Sequence, residues 1–517
     1  MVMERREILL VMGALMTGLF LAALDQTIVS TALPTIVGEL GGLDHLSWVV
    51  TAYLLTSTAS VPLFGKISDL YGRKLVFQAA IGLFLLGSVL CGAAQDMFQL
   101  IVFRGIQGVG GGGLMAMTFV IMGDIISPRE RGRYAGYFTG VFAMSSVIGP
   151  LVGGFFVDQI SWRWVFYVNL PIGGLAMVAA QRYLRVDRPH ERRAVDLLGA
   201  ALLVSGVTCL LLVSVWGGQE HPWTSPTIVG LGVAGFTLMS LFLFQERRAA
   251  EPLVPLRLFG IPVVRTTTIL SALMGTAMFG GTVFMPLFLQ VVTGASATTS
   301  GLLLLPMMAG VLAGSTISGR VVSHTGRYKA WPIFGTGIAT TGLFVLSLMD
   351  ADSGRLHQGL GMLLLGAGMG CVMPILTLAV QNAAEPRDLG SATSLVNFTR
   401  SLGGAFGVAV FGAILSARMS SNLGGRVESS LLNSPEQIRA LPDPVLVARI
   451  TDAIADAVTH VFLVATPILA LSFVVAWFLK ELPLRETVGL PTTVVEGAEE
   501  AGLALQPNVE PSATTPA

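Results

Sequence analysis

Two long apolar blocks are joined by a short charged stretch that decides the fold, Gly65-Lys66-Ile67-Ser68-Asp69-Leu70-Tyr71-Gly72-Arg73-Lys74. A related stretch follows a later apolar block, Gly319-Arg320-Val321-Val322-Ser323-His324-Thr325-Gly326-Arg327. Its two glycines and its last arginine match the first stretch at a constant offset of 254 residues, whereas Ser323 replaces Asp69. Such a weak internal repeat is typical of membrane proteins built from two related halves.

The composition indicates a polytopic membrane protein. Of the 517 residues, 53% are hydrophobic and 12% are charged, whereas soluble domains carry about 25% charged residues. Lys plus Arg and Asp plus Glu are equal at 31 each, so no basic excess points to nucleic acid. The apolar blocks are long enough for helices that cross a bilayer, and a barrel of short alternating strands is excluded.

Fourteen such blocks predict an all-α polytopic membrane protein with fourteen transmembrane helices. The repeat divides them into two six-helix bundles with two inserted helices between them. The blocks lie at 8–38, 47–66, 75–95, 98–122, 134–157, 165–183, 194–215, 227–246, 266–291, 299–322, 331–350, 358–380, 395–417 and 457–480. The predicted units are an N-terminal bundle at 1–190, the inserted pair at 191–250, a C-terminal bundle at 251–485 and a disordered cytoplasmic tail at 486–517.

The positions of Lys and Arg predict the sidedness. With the N-terminus inside, 24 of these 31 residues fall in inner segments, 6 in outer segments and Arg104 within a helix. Cytoplasmic loops are enriched in Lys and Arg, so we expect a multi-pass protein of the cytoplasmic (inner) membrane with both termini in the cytoplasm. The longest extracytoplasmic segment is then 418–456. Its part Asp443–Val458 has apolar residues at helical spacing, so we expect the segment to form a helical hairpin on the surface, and an exit platform for lipophilic cargo is the alternative.

Two ionisable residues lie deep inside predicted helices. Asp25 is the only charge between Glu7 and Glu39. Burial disfavours an ionised carboxylate, so Asp25 could bind a proton near neutral pH, although a structural carboxylate held by hydroxyls is the alternative. Arg104 lies about 12 Å inside its helix and needs a partner or a water-filled cavity. Pairing with Asp25 is one solution, and helix-end carbonyls are another.

Two further features of the sequence predict a contact between charged residues at one end of the helices and a kinked helix. Asp124 lies about 30 Å beyond Arg104, where it could reach Asp69 and Arg73 or remain an ordinary interfacial charge. The stretch Gly149-Pro150-Leu151-Val152-Gly153-Gly154 predicts a tight, kinked helix contact. Proline removes a backbone donor there, and glycine lets a neighbouring helix approach.

The sequence contains no recognisable catalytic set, cofactor site or metal-binding motif. The six histidines show no clustered metal spacing, and no Walker sequence is present, so we expect neither an enzyme nor ATP binding. The expected partners are lipophilic small molecules, protons and membrane lipids. Cargo contacts should be apolar and aromatic with few polar groups. The candidates, each of which could instead face lipid or the core, are Trp48, Tyr53, Phe138, Phe142, Phe279, Phe284 and Asn397.

Five motifs in order resemble the major facilitator superfamily, and in particular its fourteen-helix drug:proton antiporter branch. The loop 65–74 resembles the signature loop between helices 2 and 3. The other motifs are Leu24-Asp25-Gln26-Thr27-Ile28-Val29 with Ala32-Leu33-Pro34, Arg104-Gly105-Ile106-Gln107-Gly108, Gly149-Pro150 with Gly153-Gly154, and Trp162-Arg163-Trp164-Val165-Phe166 with Asn169 and Pro171-Ile172-Gly173.

The resemblance implies roles for these residues. Asp25 and Arg104 would take part in proton coupling, and Gly149 with Pro150 would bear on antiport direction. An inner charge network would lock the outward-facing state, formed by Asp69, Arg73 and Asp124. The sequence departs from the family pattern at Ser145, where a glycine is frequent. It also shows no obvious embedded carboxylate in the C-terminal half, which favours neutral or monocationic cargo.

We therefore expect a proton-coupled antiporter that exports lipophilic neutral or cationic drugs or dyes by alternating access, as in antibiotic resistance by multidrug efflux. Export of a lipid or a self-made metabolite on the same scaffold is an alternative, motivated by the segment 418–456. A non-transporting membrane receptor or assembly factor is an alternative of another class. Facilitative uptake is disfavoured by Gly149-Pro150.

Overall fold

A computed structural model of the chain describes residues 5–40, 46–184, 196–217, 221–249, 251–295, 297–423 and 444–485. Within these ranges the chain forms sixteen α-helices, with two short 3-10 helices at Leu256–Gly260 and Pro386–Asp388. The α-helices are α1 (Arg5–Leu40), α2 (Leu46–Tyr71), α3 (Arg73–Gly92), α4 (Met97–Ile125), α5 (Pro128–Gln159), α6 (Trp164–Tyr167), α7 (Asn169–Tyr183), α8 (Leu197–Trp216), α9 (Pro226–Glu246), α10 (Pro262–Val291), α11 (Ala297–Leu303), α12 (Leu305–Thr325), α13 (Ala330–Ser347), α14 (Arg355–Ala383), α15 (Leu389–Leu423) and α16 (Pro444–Ala476).

The apolar blocks of the sequence all coincide with helices. Two blocks are each divided at a single residue, between α6 and α7 and between α11 and α12. Twelve helical stretches of the described chain are long and apolar enough to cross a membrane. The other two long helices, α5 and α10, have 32 and 30 residues and pack among them. The all-helical, multi-pass architecture is therefore confirmed, while the count of fourteen spans stays a prediction.

The helices pack as two bundles. In the first, α1 packs on α5 and α7, while α4 packs on α2 and α3. In the second, α10 packs on α15 and α16, while α14 packs on α12 and α13. The bundles meet where α2 contacts α15 and where α5 contacts α12. The helices α8 and α9 pack on each other, and α8 touches both α2 and α15, so the inserted pair lies beside the seam between the bundles.

The repeated loop has a shared backbone feature in both halves. Gly72 lies between α2 and α3 with φ of 90°, and Gly326 ends α12 with φ of 70°. Positive φ is strained for residues with a Cβ, which explains why glycine recurs at this position of the repeat. We call the end of the molecule that carries these two loops the loop end.

The segment after α15 differs from the sequence-based expectation. The sequence predicts a helical hairpin on the surface here, but residues from Pro444 onward form the first part of α16. Ile450, Ile454 and Val458 recur at helical spacing and are buried in the core of the second bundle, which draws this stretch into the bundle. Residues 424–443 and the predicted tail 486–517 lie outside the described residues.

Candidate functional site

Asp25 is fully buried in the middle of α1, where it pairs with Arg104 of α4. The Arg104 guanidinium donates to Asp25 Oδ2 at 2.5 Å. A buried charge needs a partner of opposite sign, and the pair leaves no net charge at this depth. Of the alternatives left open by the sequence, the structure favours a direct ion pair between these two side chains.

Two side-chain amides complete the shell around Asp25. Gln107 Nε2 donates to Asp25 Oδ1 at 2.7 Å, and Asn169 Nδ2 donates to the same oxygen at 3.2 Å. Both amides also donate to Ser88 Oγ, at 2.8 and 3.1 Å. Asn169 Oδ1 is buried and has no hydrogen-bond partner among the described residues. The carboxylate thus accepts hydrogen bonds from three side chains, Arg104 and Gln107 of α4 and Asn169 of α7.

Arg104 has further contacts besides its carboxylate partner. Its Nε donates to the carbonyl oxygen of Val49 at 3.2 Å, and another nitrogen donates to Gln107 Oε1 at 2.8 Å. The guanidinium lies over the ring of Tyr53 with 4.3 Å to the centroid. This aromatic face adds a cation–π attraction to the site. Tyr53, expected as a cargo contact, is placed by the structure beneath Arg104 with 1% exposure.

The far end of α1 is anchored by the segment that precedes α6. Trp162 Nε1 donates to Glu39 Oε2 at 2.7 Å, and Arg163 pairs with the same carboxylate. Hydrogen bonds from Arg163 and Trp162 hold the pKa of Glu39 below its usual value. These contacts fix the helix that carries Asp25 against its neighbours.

The glycine-proline motif of α5 packs on α1 directly after Asp25. A Cβ at Gly149 would overlap Thr27 Oγ1, and a Cβ at Gly153 would press on Ile28. Thr27 Oγ1 also donates to the carbonyl oxygen of Ser145 at 3.0 Å. Pro150 is exposed, and a Cβ at Gly154 would meet nothing within 4 Å. One face of the motif therefore makes the close contact with α1, while Pro150 and Gly154 face away from it.

At the loop end, Arg73 joins the two predicted gate carboxylates. It pairs with Asp69 at 2.7 Å and with Asp124 at 2.5 Å, and its side chain is fully buried. A further nitrogen donates to Ser68 Oγ. The structure thus brings together the three side chains that the sequence suggested as a charge network.

Hydrogen bonds join the two bundles at the loop end. The Asp69 carboxylate accepts from the backbone N–H groups of Gly390 and Ser391 at 3.2 and 3.1 Å, in the first turn of α15. Arg131 of α5 donates to Gln381 Oε1 of α14 at 3.0 Å. Carboxylates are stabilised at helix N-termini by free N–H groups and the helix dipole. The loop end is therefore closed.

The remaining cargo candidates are dispersed. Trp48 stacks edge-on against Trp216 of α8 at 5.2 Å, and Phe138 is buried against Phe119 at 5.7 Å. Phe142 is 37% exposed and Phe284 is buried in the second bundle. Asn397 is buried and accepts a hydrogen bond from Arg400. The side chain of Phe279 lies outside the described residues, and a cargo role for any of these residues stays a prediction.

Sequence reasoning quoted Gln107 and Asn169 within family motifs but did not predict their contacts with Asp25, and it did not mention Ser88. Gln107 follows Arg104 by three residues and therefore lies on the same helix face, which was an available signal. Ser88 and Asn169 come from other helices, so only their packing reveals them. Among the described residues, no cluster of three or more His, Cys, Asp or Glu could hold a metal ion.

Comparison with known proteins identifies the family. The model of the Major Facilitator Superfamily matches residues 15–408. The chain belongs to this superfamily. Multidrug transporter protein MdtP of Bacillus subtilis is 39% identical over 434 residues, which cover 84% of this chain and 80% of that protein. Multidrug resistance protein 3 of the same organism is 36% identical over 489 residues, covering 92% and 95%.

Solved structures of the superfamily share the fold. The proton:xylose symporter XylE, bound to 6-bromo-6-deoxy-D-glucose, aligns with a TM-score of 0.62 at 15% identity and covers 92% of this chain and 96% of that chain. The human organic anion transporter MFSD10 aligns with a TM-score of 0.58 at 17% identity, covering 90% and 100%. The family and its efflux-named relatives make this chain a polytopic efflux transporter of the superfamily and not an enzyme.

Proposed function

We propose that this transporter exports lipophilic compounds in exchange for protons, and that Asp25 is the carboxylate that binds the proton. The observation that carries the proposal is the fully buried pair of Asp25 and Arg104 in the first bundle. A carboxylate embedded in a membrane segment is costly and is a functional candidate by default. The names of MdtP and Multidrug resistance protein 3 support drugs as the class of cargo.

Protonation of Asp25 would change the balance of charge in the site. The ionised carboxylate neutralises Arg104 and accepts from Gln107 and Asn169. A neutral carboxyl would leave the buried arginine without a counter-charge, which is strongly unfavourable. The site must then rearrange, and α5 transmits that movement because Gly149 and Gly153 pack on the next turn of α1.

The closed loop end corresponds to one stage of an alternating-access transport cycle. If the loop end is cytoplasmic, as the Lys and Arg distribution predicts, the conformation described here faces outward. In that state a proton from outside would bind Asp25 as cargo leaves. After the two bundles have moved to the inward-facing state, Asp25 would lose its proton to the cytoplasm and could pair with Arg104 again.

The test is gradient-driven transport by the purified protein in liposomes. We expect Asp25→Asn to abolish uphill, ΔpH-driven transport of a lipophilic dye while leaving equilibrium dye binding within about twofold. Asp456→Asn is the matched control, because it makes the same change at an ion pair with Arg418 that is half exposed. Gradient-driven transport by Asp25→Asn at the wild-type rate would refute the proposal.

Removal of one partner from a buried pair can also destabilise the fold, by about 3–5 kcal/mol. The double variant Asp25→Asn/Arg104→Gln removes both charges and keeps hydrogen-bonding groups in place. We expect this variant to fold and bind dye yet lose proton-coupled transport. If it transports against a gradient, Asp25 is not the coupling carboxylate.

The alternatives have weaker support. The family and its efflux-named relatives favour a transporter over a non-transporting receptor or assembly factor. The lipid or metabolite alternative depended on the segment 418–456, whose described parts continue α15 and α16. We therefore rank drug export first.

A further inference from the structure

The second bundle contains an arginine deep within α15. Arg400 lies eleven residues beyond Leu389, which is about 16 Å along the helix axis. The sidedness prediction counts Arg400 among the cations of the inner segments, whereas the structure places it well inside α15. The residue is within the candidate membrane span Pro386–Met419 and is partly exposed.

Arg400 has few acceptors within reach. One nitrogen donates to Asn397 Oδ1 at 2.8 Å, and another lies 3.8 Å from the thioether sulfur of Met373, which is a weak acceptor. A guanidinium carries five N–H donors. Among the described residues it forms no ion pair, in contrast to Arg104 and Arg73.

The carboxylates around α15 are already engaged. Asp25 is paired with Arg104, which lies about 30 Å from Asp124 along α4 and is therefore further from the loop end than Arg400. Asp456 pairs with Arg418, about 27 Å further along α15 than Arg400. At the loop end the carboxylates are held by other arginines, Asp69 and Asp124 by Arg73 and Asp388 by Arg257. Among the residues that the structure describes, no carboxylate therefore compensates the positive charge of Arg400.

Arg400 lies further into the molecule than the contacts that close the loop end. It lies nine residues beyond Ser391, or about 13 Å along α15 from the contact with Asp69. Met373 lies at a similar height, about 12 Å along α14 from Gln381. On the first bundle, Phe138 lies about 10 Å along α5 from Arg131, the partner of Gln381. A cationic group and an aromatic side chain are thus found at comparable heights in the two bundles.

We propose that Arg400, positioned by Asn397, binds an anionic group of the cargo, such as a carboxylate or phenolate attached to an aromatic or aliphatic body. An unpaired arginine in a membrane segment gains most from an anionic ligand that brings its own counter-charge. This inference rests on the proposed function, since it names the cargo of the same transporter. It replaces the expectation of neutral or cationic cargo with lipophilic anions.

A matched pair of fluorescent probes tests the effect of the negative charge of the ligand alone. Dansyl-phenylalanine carries a carboxylate, and dansyl-phenylalaninamide is a neutral analogue of nearly the same size. With purified full-length protein in neutral detergent, fluorescence anisotropy should show that wild type binds the carboxylate at least about tenfold tighter. Equal affinity of wild type for the two probes, or tighter binding of the amide, would overturn the proposal without any mutation.

Substitutions test whether Arg400 causes the preference for the carboxylate probe. Arg400→Gln should remove the preference and leave the affinity for the amide probe within about twofold, whereas Arg400→Lys should retain part of it. Asn397→Leu should weaken the preference less than Arg400→Gln does. The control is Arg418→Gln, on the same helix but half exposed and paired with Asp456, which should keep the full preference.

An equal loss of affinity for both probes in Arg400→Gln would indicate a structural role and refute the inference. So would a preference that survives this substitution. Asp25→Asn separates this inference from the proton-coupling proposal, because it should keep the carboxylate preference while losing uphill transport. If Asp25→Asn transports normally but the preference depends on Arg400, only the coupling proposal fails.

Discussion

Asp25 is held by more than its salt bridge. Arg104 supplies the counter-charge, while Gln107 and Asn169 donate to the second oxygen. The Arg104 guanidinium also lies over the ring of Tyr53. Arg104 and the two amides each interact more favourably with a carboxylate than with a neutral carboxyl group. The site can therefore respond to small changes in any one partner.

Gln107 offers a test of this balance. Gln107→Leu removes a donor to the ionised carboxylate and so favours the protonated carboxyl. We expect the pH midpoint of proton-coupled transport to move to higher pH and the maximal rate to fall severalfold. The measurement is the pH profile of dye transport in liposomes. Gln99→Leu, the same change near the start of α4, should leave the profile unchanged, and an unshifted profile in Gln107→Leu would contradict the assigned role.

At the scale of elements, glycine determines how closely helices approach. In α4, a Cβ at Gly108 or Gly112 would overlap the backbone of α2, and one at Gly110 would overlap the backbone of α3. Runs of glycine such as the one after Arg104 allow this close approach of membrane helices. Which glycine faces which helix depended on the rotation of α4 about its axis, and that rotation is set by packing.

The contact between α1 and α5 permits a matched comparison. Gly149→Ala places a methyl group against Thr27, whereas Gly154→Ala places one where nothing lies within 4 Å. Overpacking costs about 1–3 kcal/mol. We expect Gly149→Ala to lower the thermal unfolding temperature in detergent and to slow transport, with Gly154→Ala close to wild type. Equal behaviour of the two variants would show that this interface is not tightly packed.

At the scale of the whole molecule, Asp69 links the loop network to the opposite bundle. It pairs with Arg73 and also accepts from the first turn of α15, so one carboxylate holds both the inner network and the closed loop end. Hydrogen bonds to charged groups contribute about 1.5–3 kcal/mol each. The stability of the closed loop end therefore depends strongly on this one ionised side chain.

Asp69→Asn should open the loop end. Loss of the charge weakens its bonds to Arg73 and to α15, and a change of about 1–3 kcal/mol shifts a two-state population about 5- to 150-fold. Spin labels at Tyr71 and Arg387 should move apart, while labels at Gln95 and Asp350 on the opposite end move closer, as measured by double electron–electron resonance. Glu130→Gln, at an exposed loop-end carboxylate, is the control. Unchanged distance distributions in Asp69→Asn would show that Asp69 does not keep the loop end closed.

Sequence alone determined the helical membrane architecture, the repeated loop, and Asp25 and Arg104 as embedded charges. These features depend on hydropathy and spacing within single segments, which need no knowledge of neighbours. Only the tertiary structure decided that Asn169 and Ser88 join the Asp25 site, that Tyr53 packs under Arg104, and that Arg400 forms no ion pair with any described residue. Those contacts join helices distant in the chain, so they depend on how each helix is rotated and packed.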